Sequence, residues 1–156
     1  MPVAPTDFKQ TLGRFLSGVT VIACEAGGET HGMTASAFLS VSLDPPLVLV
    51  SVGKSARIHA HLAAGNAWSA TILSSEQSSL SSHFAGYGAA EVEWIRTPGQ
   101  PPRLAGGIAW VSCEPFSATE AGDHTLFVGR VEAVGQAEGE PLAYFRGKYR
   151  SLVALE

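Results

Sequence analysis

A six-residue apolar run, Leu47 to Val52, constrains the fold of this chain more than any other segment. It follows Asp44-Pro45-Pro46 and ends at Gly53, so residues that disfavour regular structure bound it on both sides. The run is too short and too rich in β-branched side chains for a good helix. It therefore predicts a fully buried strand, and the sheet that forms must place this strand in its interior.

The segment before this strand, residues 32–37, is polar and built from small residues. Thr34 and Ser36 offer hydroxyl groups, while Gly32, Ala35 and Ala37 leave room for a ligand to approach backbone N–H groups. One hypothesis is a ligand cradle attached to the buried strand. The alternative is a polar loop that only precedes a core strand.

The rest of the chain shows a few helical patterns among more numerous strand patterns. We predict a first helix that Asp7 caps and Gly18 follows, with Phe8, Leu12, Phe15 and Leu16 at helical spacing, packed across a sheet. Further helices are predicted over residues 56–64 and 76–84, and an irregular, mobile excursion over 85–103. Strands are predicted over residues 19–24, 30–33, 47–52, 67–73, 108–119 and 125–134.

Tight turns and long strands favour one architecture. Gly27-Gly28 predicts a hairpin between the first two strands, and the strand over 125–134 alternates apolar residues (Leu126, Val128, Val131, Val134) with Arg130 and Glu132. Because strands outnumber helices, we expect a mainly β fold with a few helices, in which an antiparallel sheet forms a closed or partly closed barrel. A chain of 156 residues fits a single domain over 1–156, with its core at about 8–152.

Composition excludes several classes of partner. The chain is 46% hydrophobic and only 15% charged, below the average of about 25%, which indicates extra burial by a subunit interface or a large ligand. The net charge of −4 and the absence of an evident basic patch argue against nucleic acid and anionic membranes. We also find no signal peptide and no apolar run of about 20 residues, so we expect a soluble, cytoplasmic protein. Cys24 and Cys113 lie in apolar runs and suit reduced core thiols.

Common catalytic motifs do not occur. The chain lacks G-x-S-x-G, G-x-G-x-x-G and G-x-x-x-x-G-K-[ST], so a hydrolase elbow, a Rossmann site and a P-loop are not supported. His59 and His61 form an H-x-H pair on a predicted helix, where they point to different faces. We interpret them as solvent-facing polar residues and predict no metal site.

Two short segments are candidates for anion and nucleotide binding. Residues 53–57, Gly-Lys-Ser-Ala-Arg, combine two cations, a hydroxyl and the start of a helix, which suits phosphate; a helix cap with solvated charges is the alternative. The cradle at residues 32–37 favours the phosphate interpretation, because both segments flank one connected stretch and could line one pocket. The turn Gly122-Asp123-His124 is either an ordinary turn or a functional one.

Six motifs occur in a characteristic order and spacing along nearly the whole chain. They are GVTV at residues 18–21, HGMTASAF at 31–38, SVSLDPPLV at 40–48, HFAG at 83–86, GDHTLFVGRV at 122–131 and PLAYFRGKYR at 141–150. Together they resemble the flavin reductase-like family, which binds flavin in a split barrel and includes reductase components of two-component flavin-dependent monooxygenases.

The resemblance implies an antiparallel split β-barrel, a homodimer with flavin near the subunit interface, and reduction of FMN or FAD by NADH or NADPH. It also implies a separate monooxygenase partner that receives reduced flavin. By resemblance, residues 33–36 lie along the flavin ring, residues 51–57 hold its ribityl and phosphate groups, Phe84 borders it, and residues 122–124 and 145–149 approach the nicotinamide nucleotide. The predicted cofactor-binding residues are thus Met33, Thr34, Ala35, Ser36, Ser51, Val52, Lys54, Ser55, Arg57, Phe84, Gly122, Asp123, His124, Phe145 and Tyr149.

The expected chemistry requires little from catalytic side chains. Hydride passes from nicotinamide C4 to flavin N5, so the protein mainly stacks the two rings and stabilises charge that develops at flavin N1 and O2. We therefore predict no certain catalytic residue, and His124 is a candidate that positions the nucleotide. The preference between FMN and FAD, and between NADH and NADPH, stays open.

Two alternatives use the same barrel. One is a non-catalytic flavin-binding or redox-sensing protein, which would not need a nicotinamide site such as His124 and Tyr149 suggest. The other replaces the cofactor or the reaction, with haem or with FMN-dependent oxidation of pyridoxine phosphate. No Arg-rich substrate pocket and no histidine in the context of an axial ligand supports this second alternative.

Overall fold

The computed structural model describes residues 2–156, which form three helices and twelve strands. The helices are α1 (Pro5–Leu12), α2 (Arg57–Ala63) and α3 (Ser78–Phe84). The strands are β1 (Ser17–Gly18), β2 (Thr20–Ala26), β3 (Glu29–Ala35), β4 (Phe38–Leu43), β5 (Pro46–Gly53), β6 (Trp68–Ile72), β7 (Trp94–Ile95), β8 (Arg103–Leu104), β9 (Ala109–Ala121), β10 (His124–Gln136), β11 (Ala143–Phe145) and β12 (Lys148–Arg150). None of the helices formed by these residues is long and apolar enough to cross a membrane.

Seven strands form one antiparallel sheet in the order β3-β2-β6-β9-β10-β5-β4. Its two edge strands, β3 and β4, are consecutive in the chain and only Ser36 and Ala37 join them, so the sheet must curl until its edges approach. The backbone N–H of Ser51 donates to the carbonyl of Ala37 at 3.0 Å and ties this junction to β5. The mainly β, antiparallel prediction is confirmed, and the pairings of residues 2–156 leave the barrel split between β3 and β4.

A single core inside the curled sheet draws on all seven of these strands. Ile22, Ala35, Val50, Trp68, Cys113 and Phe127, each from a different strand, are buried in one cluster, and Phe38 of β4 packs against it. This arrangement explains why the Leu47–Val52 run is so apolar, since β5 lies between β10 and β4 and contributes Val48, Val50 and Val52 to the interior. The predicted strand is confirmed, but it is not fully buried, because Leu49 and Ser51 are half-buried and line the outside of the barrel.

Glycines set the hairpin that leads into β3. Gly27 and Gly28 have φ values of +61° and +78°, and two consecutive residues at positive φ give the turn whose twist matches the flanking strands. The predicted hairpin is thus confirmed, and it fixes the register in which Thr34 lies opposite Val21.

The strand predicted over residues 125–134 is confirmed as part of β10, but its alternating apolar residues do not mark the buried face. Thr125, Phe127 and Gly129 are buried, whereas Leu126 and Val128 are half-buried on the outer face. Register shifts at Val128/Gly129 and Val131/Ala133 change the alternation further along the strand. Apolar residues therefore occupy both faces of this part of the sheet.

The prediction for the first helix is wrong in its cap and its packing. Helix α1 begins at Pro5 after Ala4, which makes no side-chain cap, so Asp7 lies in the first turn and does not precede it. The helix ends at Gly13, well before Gly18, and none of its residues is buried. Phe8 and Leu12 are 58% and 53% exposed, so the apolar stripe of α1 faces outward and does not cross the sheet.

Short strands complete the fold where the sequence predicted none. Strands β7 and β8 pair with each other, one within the segment 85–103 and one at its end. Strands β1, β11 and β12 form a small sheet in which Ser17 lies opposite Tyr144. A second buried cluster, with Val19, Val21, Leu73, Leu104 and Leu142, packs under these elements and holds Phe84 and Trp94 at its border. These elements bring the end of the chain beside α3.

Cys24 and Cys113 are buried, free thiols on either side of Trp68 in the sheet. Burial raises the pKa of Cys24 to about 11 and that of Cys113 to about 12. The carboxylates of Glu132 and Glu114 add to the rise at Cys113. The prediction of structural thiols is confirmed.

Candidate functional site

A cavity of about 430 Å³ lies between β3, the start of α2 and the end of α3. Gly32, Met33 and Thr34 line it from β3, Arg57 from α2 and Phe84 from α3. We call it the β3 cavity. Four predicted site residues that are distant in the chain (Met33, Thr34, Arg57, Phe84) thus meet at one place.

The aromatic wall of the β3 cavity depends on the missing side chain of Gly32. A Cβ atom at this position would lie 2.7 Å from Cε1 of Phe84, closer than such atoms approach in proteins, and a tight 3.1 Å from Cη2 of Trp94. The rings of Phe84 and Trp94 are 5.5 Å apart and pack directly on the backbone of β3. The glycine of the predicted cradle therefore makes room for protein side chains.

The cradle is an edge strand, and its hydroxyl groups have different surroundings. Residues 32–35 belong to β3, which pairs with β2 on one side, so alternate backbone groups on its other side are available to a ligand. The Thr34 hydroxyl donates to the carbonyl of Ser81 at 2.6 Å and fastens α3 to β3, whereas Ser36 is exposed. Ala35 is buried in the core, as is Val52, so only their backbones could contact a ligand.

The predicted phosphate segment lies beside the tip of the β9–β10 hairpin. The backbone N–H of Lys54 donates to the carbonyl of Asp123 at 2.9 Å, and its ammonium group forms an exposed ion pair with Glu120 at 3.2 Å. Ser55 and Arg57 are exposed, and Arg57 lines the β3 cavity. Arg57 is therefore the cation of this segment best placed for an anion in that cavity.

The turn Gly122-Asp123-His124 holds an oriented histidine. Nδ1 of His124 donates to Oδ1 of Asp123 at 2.8 Å, because a carboxylate can only accept, and this leaves Nε2 as the acceptor of the neutral ring. The hydrogen bond from His124 holds the pKa of Asp123 below its usual value. His124 lies opposite Gly53 in the sheet, so the turn adjoins the phosphate segment.

A neighbouring cavity of about 360 Å³, which we call the tyrosine cavity, is lined by Tyr87, Tyr144 and Tyr149. It shares Thr34 and Ala85 with the β3 cavity and also reaches Ser36. The hydroxyl of Tyr149 shares a hydrogen bond with Oγ of Ser81 at 2.7 Å, which fixes the ring beside α3. Phe145 belongs to the same small sheet and lies 5.6 Å from the guanidinium of Arg150.

The structure does not unite all the predicted residues in one place. Tyr149 contacts α3 and Tyr144, whereas His124 contacts Asp123 and lies by Gly53, so these two parts of the predicted nicotinamide site involve different regions of the chain. Sequence reasoning also missed Ser81 and Trp94, which shape the site from α3 and β7. Neither has a motif signal, because each acts through a contact with a distant residue.

The two histidines of the H-x-H pair point to different sides of α2, as predicted, but they are not solvent-facing. His59 shares a hydrogen bond with the Thr125 hydroxyl at 2.8 Å, and His61 stacks on His31 with ring centroids 4.0 Å apart. Both attach α2 to strands of the sheet. Residues 2–156 contain no group of three or more His, Cys, Asp or Glu side chains that could hold a metal ion.

A wide apolar groove of about 680 Å³, the outer groove, crosses the outside of the barrel between β4, β5, β10 and the segment after α1. Phe15, Leu39, Leu49 and Leu126 line it together with the predicted site residues Ser36 and Ser51. Phe15 is 81% exposed and Leu39 is 53% exposed. The outer groove thus joins an uncovered apolar surface to one end of the candidate site.

Sequence comparison matches this arrangement to one family. The family described as Flavin reductase like domain matches residues 12–153. An NADH-dependent flavin reductase from a Rhodococcus species is 42% identical over 158 residues, covering 98% of this chain and 89% of that protein. The reductase component of 4-hydroxyphenylacetate 3-monooxygenase from Thermus thermophilus is 42% identical, covering 94% of this chain and 95% of that protein.

Solved structures give the same result for the fold. The flavin reductase PheA2 in its native state superposes with a TM-score of 0.93 at 40% identity, covering 97% of this chain and 100% of that chain. The NADH:FAD oxidoreductase SgcE6 of Streptomyces globisporus C-1027 superposes with a TM-score of 0.90 at 34% identity, covering 100% and 94%. Both similarities extend over nearly the whole chain, so the split barrel as a unit is shared.

Proposed function

This chain belongs to the flavin reductase-like family, and from that membership we propose that it is an NAD(P)H-dependent flavin reductase that reduces FMN or FAD. The two relatives described above, a flavin reductase and a reductase component, are covered over 89% and 95% of their length, and the proposal takes their activity as its model. The reaction needs two planar ring systems in contact, a site for phosphate and no metal.

The β3 cavity suits a flavin ring. The free edge of β3 supplies backbone donors and acceptors in one plane, and Phe84 supplies an apolar face. The exposed Ser36 hydroxyl lies where the edge ends. These groups match a ring that is apolar on its faces and polar along one edge.

The phosphate of the flavin fits the segment after β5. Arg57 lines the β3 cavity and is not part of an ion pair within residues 2–156, so its guanidinium can bind phosphate oxygens in a fork. Ser55 adds a hydroxyl donor, and Lys54 adds positive charge near the same turn. The alternative, a helix cap with solvated charges, does not account for the cavity that Arg57 lines.

Each residue then has a role in binding or orientation. A bound flavin would supply the hydride-transfer chemistry. The backbone N–H groups of β3 would stabilise negative charge on the ring, and Phe84 would keep water from one side of it. Asp123 orients His124, whose free Nε2 can accept a hydrogen bond from the nicotinamide nucleotide.

The observation that carries the proposal is the adjacency of two cavities. The β3 cavity and the tyrosine cavity meet at Thr34 and Ala85, so two ring systems bound there would be neighbours. A protein that only bound flavin would need the first cavity alone. Adjacent cavities of similar size favour a bound donor and a bound acceptor.

A homodimer and a separate monooxygenase complete the proposal. The outer groove leaves Phe15, Leu16 and Leu39 exposed beside Ser36 and Ser51, which a second copy of the chain would cover while it closes the flavin site. Reductase components of two-component monooxygenases are among the similar proteins, so we assign reduced flavin to such a partner. We place the protein in the cytoplasm because its cysteines are reduced core thiols.

The first test is oxidation of NADH and of NADPH by the purified protein, followed by absorbance with FMN, FAD, riboflavin or no flavin. We expect turnover that depends on added flavin. The Arg57→Gln variant should raise the KM for FMN about tenfold and leave that for riboflavin, which has no phosphate, unchanged. The matched control is Arg96→Gln, which removes an exposed arginine that binds Glu25 and Thr30 instead.

Two results would contradict the proposal in different ways. Flavin binding without NAD(P)H oxidation would favour a flavin-binding or sensing protein. Turnover with an equal effect of Arg57→Gln on FMN and riboflavin would retain the reductase and reject the phosphate role of Arg57.

A further inference from the structure

A third cavity has a strongly positive lining, and its cations have no role in the proposed flavin site. It lies between the end of α1 and the turn from β11 to β12, has a volume of about 420 Å³, and is lined by the side chains of Lys9, Arg14 and Arg146. We call it the basic cavity. None of its lining residues is acidic, and none of the three cations forms an ion pair within residues 2–156. In a chain with a net charge of −4, three uncompensated cations around one cavity are suited to an anion.

The fold builds this cluster from opposite ends of the chain. The backbone N–H of Arg146 donates to the carbonyl of Gly13 at 2.8 Å and holds the β11–β12 turn against the end of α1. Arg146 has a φ of +53°, and it is the one non-glycine residue of 2–156 at positive φ. Glycine or asparagine would fit this conformation with less strain, so a charged side chain here suggests a use for the charge.

Positive charge is concentrated around this cavity well beyond its three lining cations. Five of the ten lysines and arginines lie on α1, the segment after it, or the β11–β12 hairpin: Lys9, Arg14, Arg146, Lys148 and Arg150. The carboxyl end of α1 contributes the opposite sign, but a helix end amounts to about half a charge, so three full charges outweigh it. No basic patch is evident in the sequence, because these residues come together only in the folded chain.

The basic cavity continues the track of the other two. Gly147 lines both the basic and the tyrosine cavities, just as Thr34 and Ala85 line both the tyrosine and the β3 cavities. The track therefore runs from the edge of β3, past three tyrosines, to three cations. A ligand with planar rings joined to phosphate groups fits the tyrosine cavity and the basic cavity together.

We propose that the basic cavity binds the diphosphate group of NAD(P)H, with the nicotinamide end of the molecule in the tyrosine cavity. This inference rests on the proposed reductase function. The flavin phosphate has its own cation in Arg57, on the other side of the β3 cavity. With FMN as the flavin, the diphosphate of the second nucleotide is the remaining anion, and its two negative charges match a cavity with three positive ones.

The test compares a cavity variant with a matched control. The double variant Arg14→Gln/Arg146→Asn removes two charges from the lining, and asparagine tolerates the positive φ at position 146. The control Arg96→Gln/Arg130→Gln removes two charges from exposed arginines that line none of the three cavities. Thermal unfolding checks that each variant is folded, and the single variant Arg14→Lys tests rescue by a retained charge.

Binding is measured with ADP-ribose, which has the diphosphate but no nicotinamide, and with 2′,5′-ADP, which has the 2′-phosphate but no diphosphate. In the cavity variant we expect the Kd for ADP-ribose and the KM for NADH to rise about tenfold, with kcat and the KM for FMN within about twofold. The control should change each value by less than about twofold, and Arg14→Lys should retain most of the affinity.

Other outcomes separate the possible sources of phosphate. A loss of affinity for 2′,5′-ADP but not for ADP-ribose would overturn the diphosphate assignment, as would a raised KM for FMN beside an unchanged one for riboflavin. Unchanged ADP-ribose binding in the cavity variant would overturn the proposal outright. If the wild-type protein fails to oxidise NAD(P)H, the proposed function fails, while the ADP-ribose titration still decides whether the cavity binds a diphosphate.

Discussion

The hydrogen bond between Asp123 and His124 gives the site its one oriented histidine. Because Nδ1 donates to Asp123, Nε2 is fixed as the acceptor, and His124→Ala removes that acceptor without disturbing the core. We expect the KM for NADH to rise about tenfold and the KM for flavin to change less than about twofold, as measured by steady-state kinetics. The partner variant Asp123→Asn should have a smaller effect in the same direction, because an amide orients the ring less strictly. Equal effects of His124→Ala on both substrates would contradict a role in nucleotide binding.

The buried thiols predict a stability that falls in alkaline solution. In the unfolded chain a thiol loses its proton near pH 9, but Cys113 in the folded protein keeps it to a pKa of about 12. The unfolded state therefore binds fewer protons than the folded state between pH 9 and about 12, and stability decreases across that range. At pH 10 the loss from Cys113 should be about 1 kcal/mol relative to pH 8, measured by urea unfolding.

The variant Cys113→Ala separates this effect from other alkaline titrations. It should be less stable than the wild type at pH 8, because it loses a buried sulfur, but its stability should decrease less between pH 8 and pH 10. A wild type and a variant with the same pH dependence would show that Cys113 titrates normally. Alkylation of native Cys113 at pH 8 should also be slow, since the neutral thiol is a poor nucleophile.

Among the elements, β3 owes its ligand-facing shape to Gly32. In Gly32→Ala the new methyl group would meet the ring of Phe84 at 2.7 Å, and this ring must move into the β3 cavity or away from Trp94. We expect flavin affinity to fall about tenfold with a stability loss of about 1–3 kcal/mol, measured by fluorescence titration and by chemical unfolding.

A compensating substitution provides the control. The companion variant Gly32→Ala/Phe84→Leu removes the clash and should recover stability but not full affinity. Normal affinity in Gly32→Ala itself would mean that Phe84 does not border the flavin.

Most of the long elements could be predicted from sequence because local pattern and tertiary position agree in them, but β4 was not predicted. The β2–β3 hairpin follows from its two glycines, β5 from its apolar run, and α2 from its spacing and Gly65. The short strands β1, β7, β8, β11 and β12 had no such signal, since two or three residues cannot display a period. Helix α1 has the right period for a packed helix, but none of its residues is buried, so its period did not predict its packing.

The candidate site was predictable as a set of segments but not as a geometry. Residues 32–36 and 53–57 are predicted to line one pocket because they lie at opposite ends of one connected stretch, and Arg57 and Met33 do line one cavity. Three other features depend on residues far away in the chain. They are the hydrogen bond from the Thr34 hydroxyl to the carbonyl of Ser81, the ion pair between Lys54 and Glu120, and the assembly of the basic cavity. No local pattern could indicate them.

At the scale of the whole molecule, the outer face of the barrel exposes large apolar side chains that a single chain does not cover. Leu39, Leu49 and Val128 lie side by side on the outside of three adjacent strands, and Leu43 is 92% exposed. Leaving so many large apolar side chains in water is unfavourable by about 25 cal/mol per Å² of apolar surface. A second copy of the chain, which has the same apolar groove, can remove this surface from water for both subunits.

The dimer prediction is that Leu39→Glu dissociates the protein and weakens flavin binding together. A carboxylate in the middle of the outer groove would have to lose its water in the interface, so we expect monomers at micromolar concentration and a KM for flavin raised at least about tenfold. Sedimentation equilibrium measures the first effect and steady-state kinetics the second. The matched control is Leu155→Glu, since Leu155 is 99% exposed and outside the groove lining, and it should remain dimeric and active. A dimer that persists in Leu39→Glu would move the interface elsewhere, whereas a monomer with normal flavin kinetics would show that one chain contains the entire flavin site.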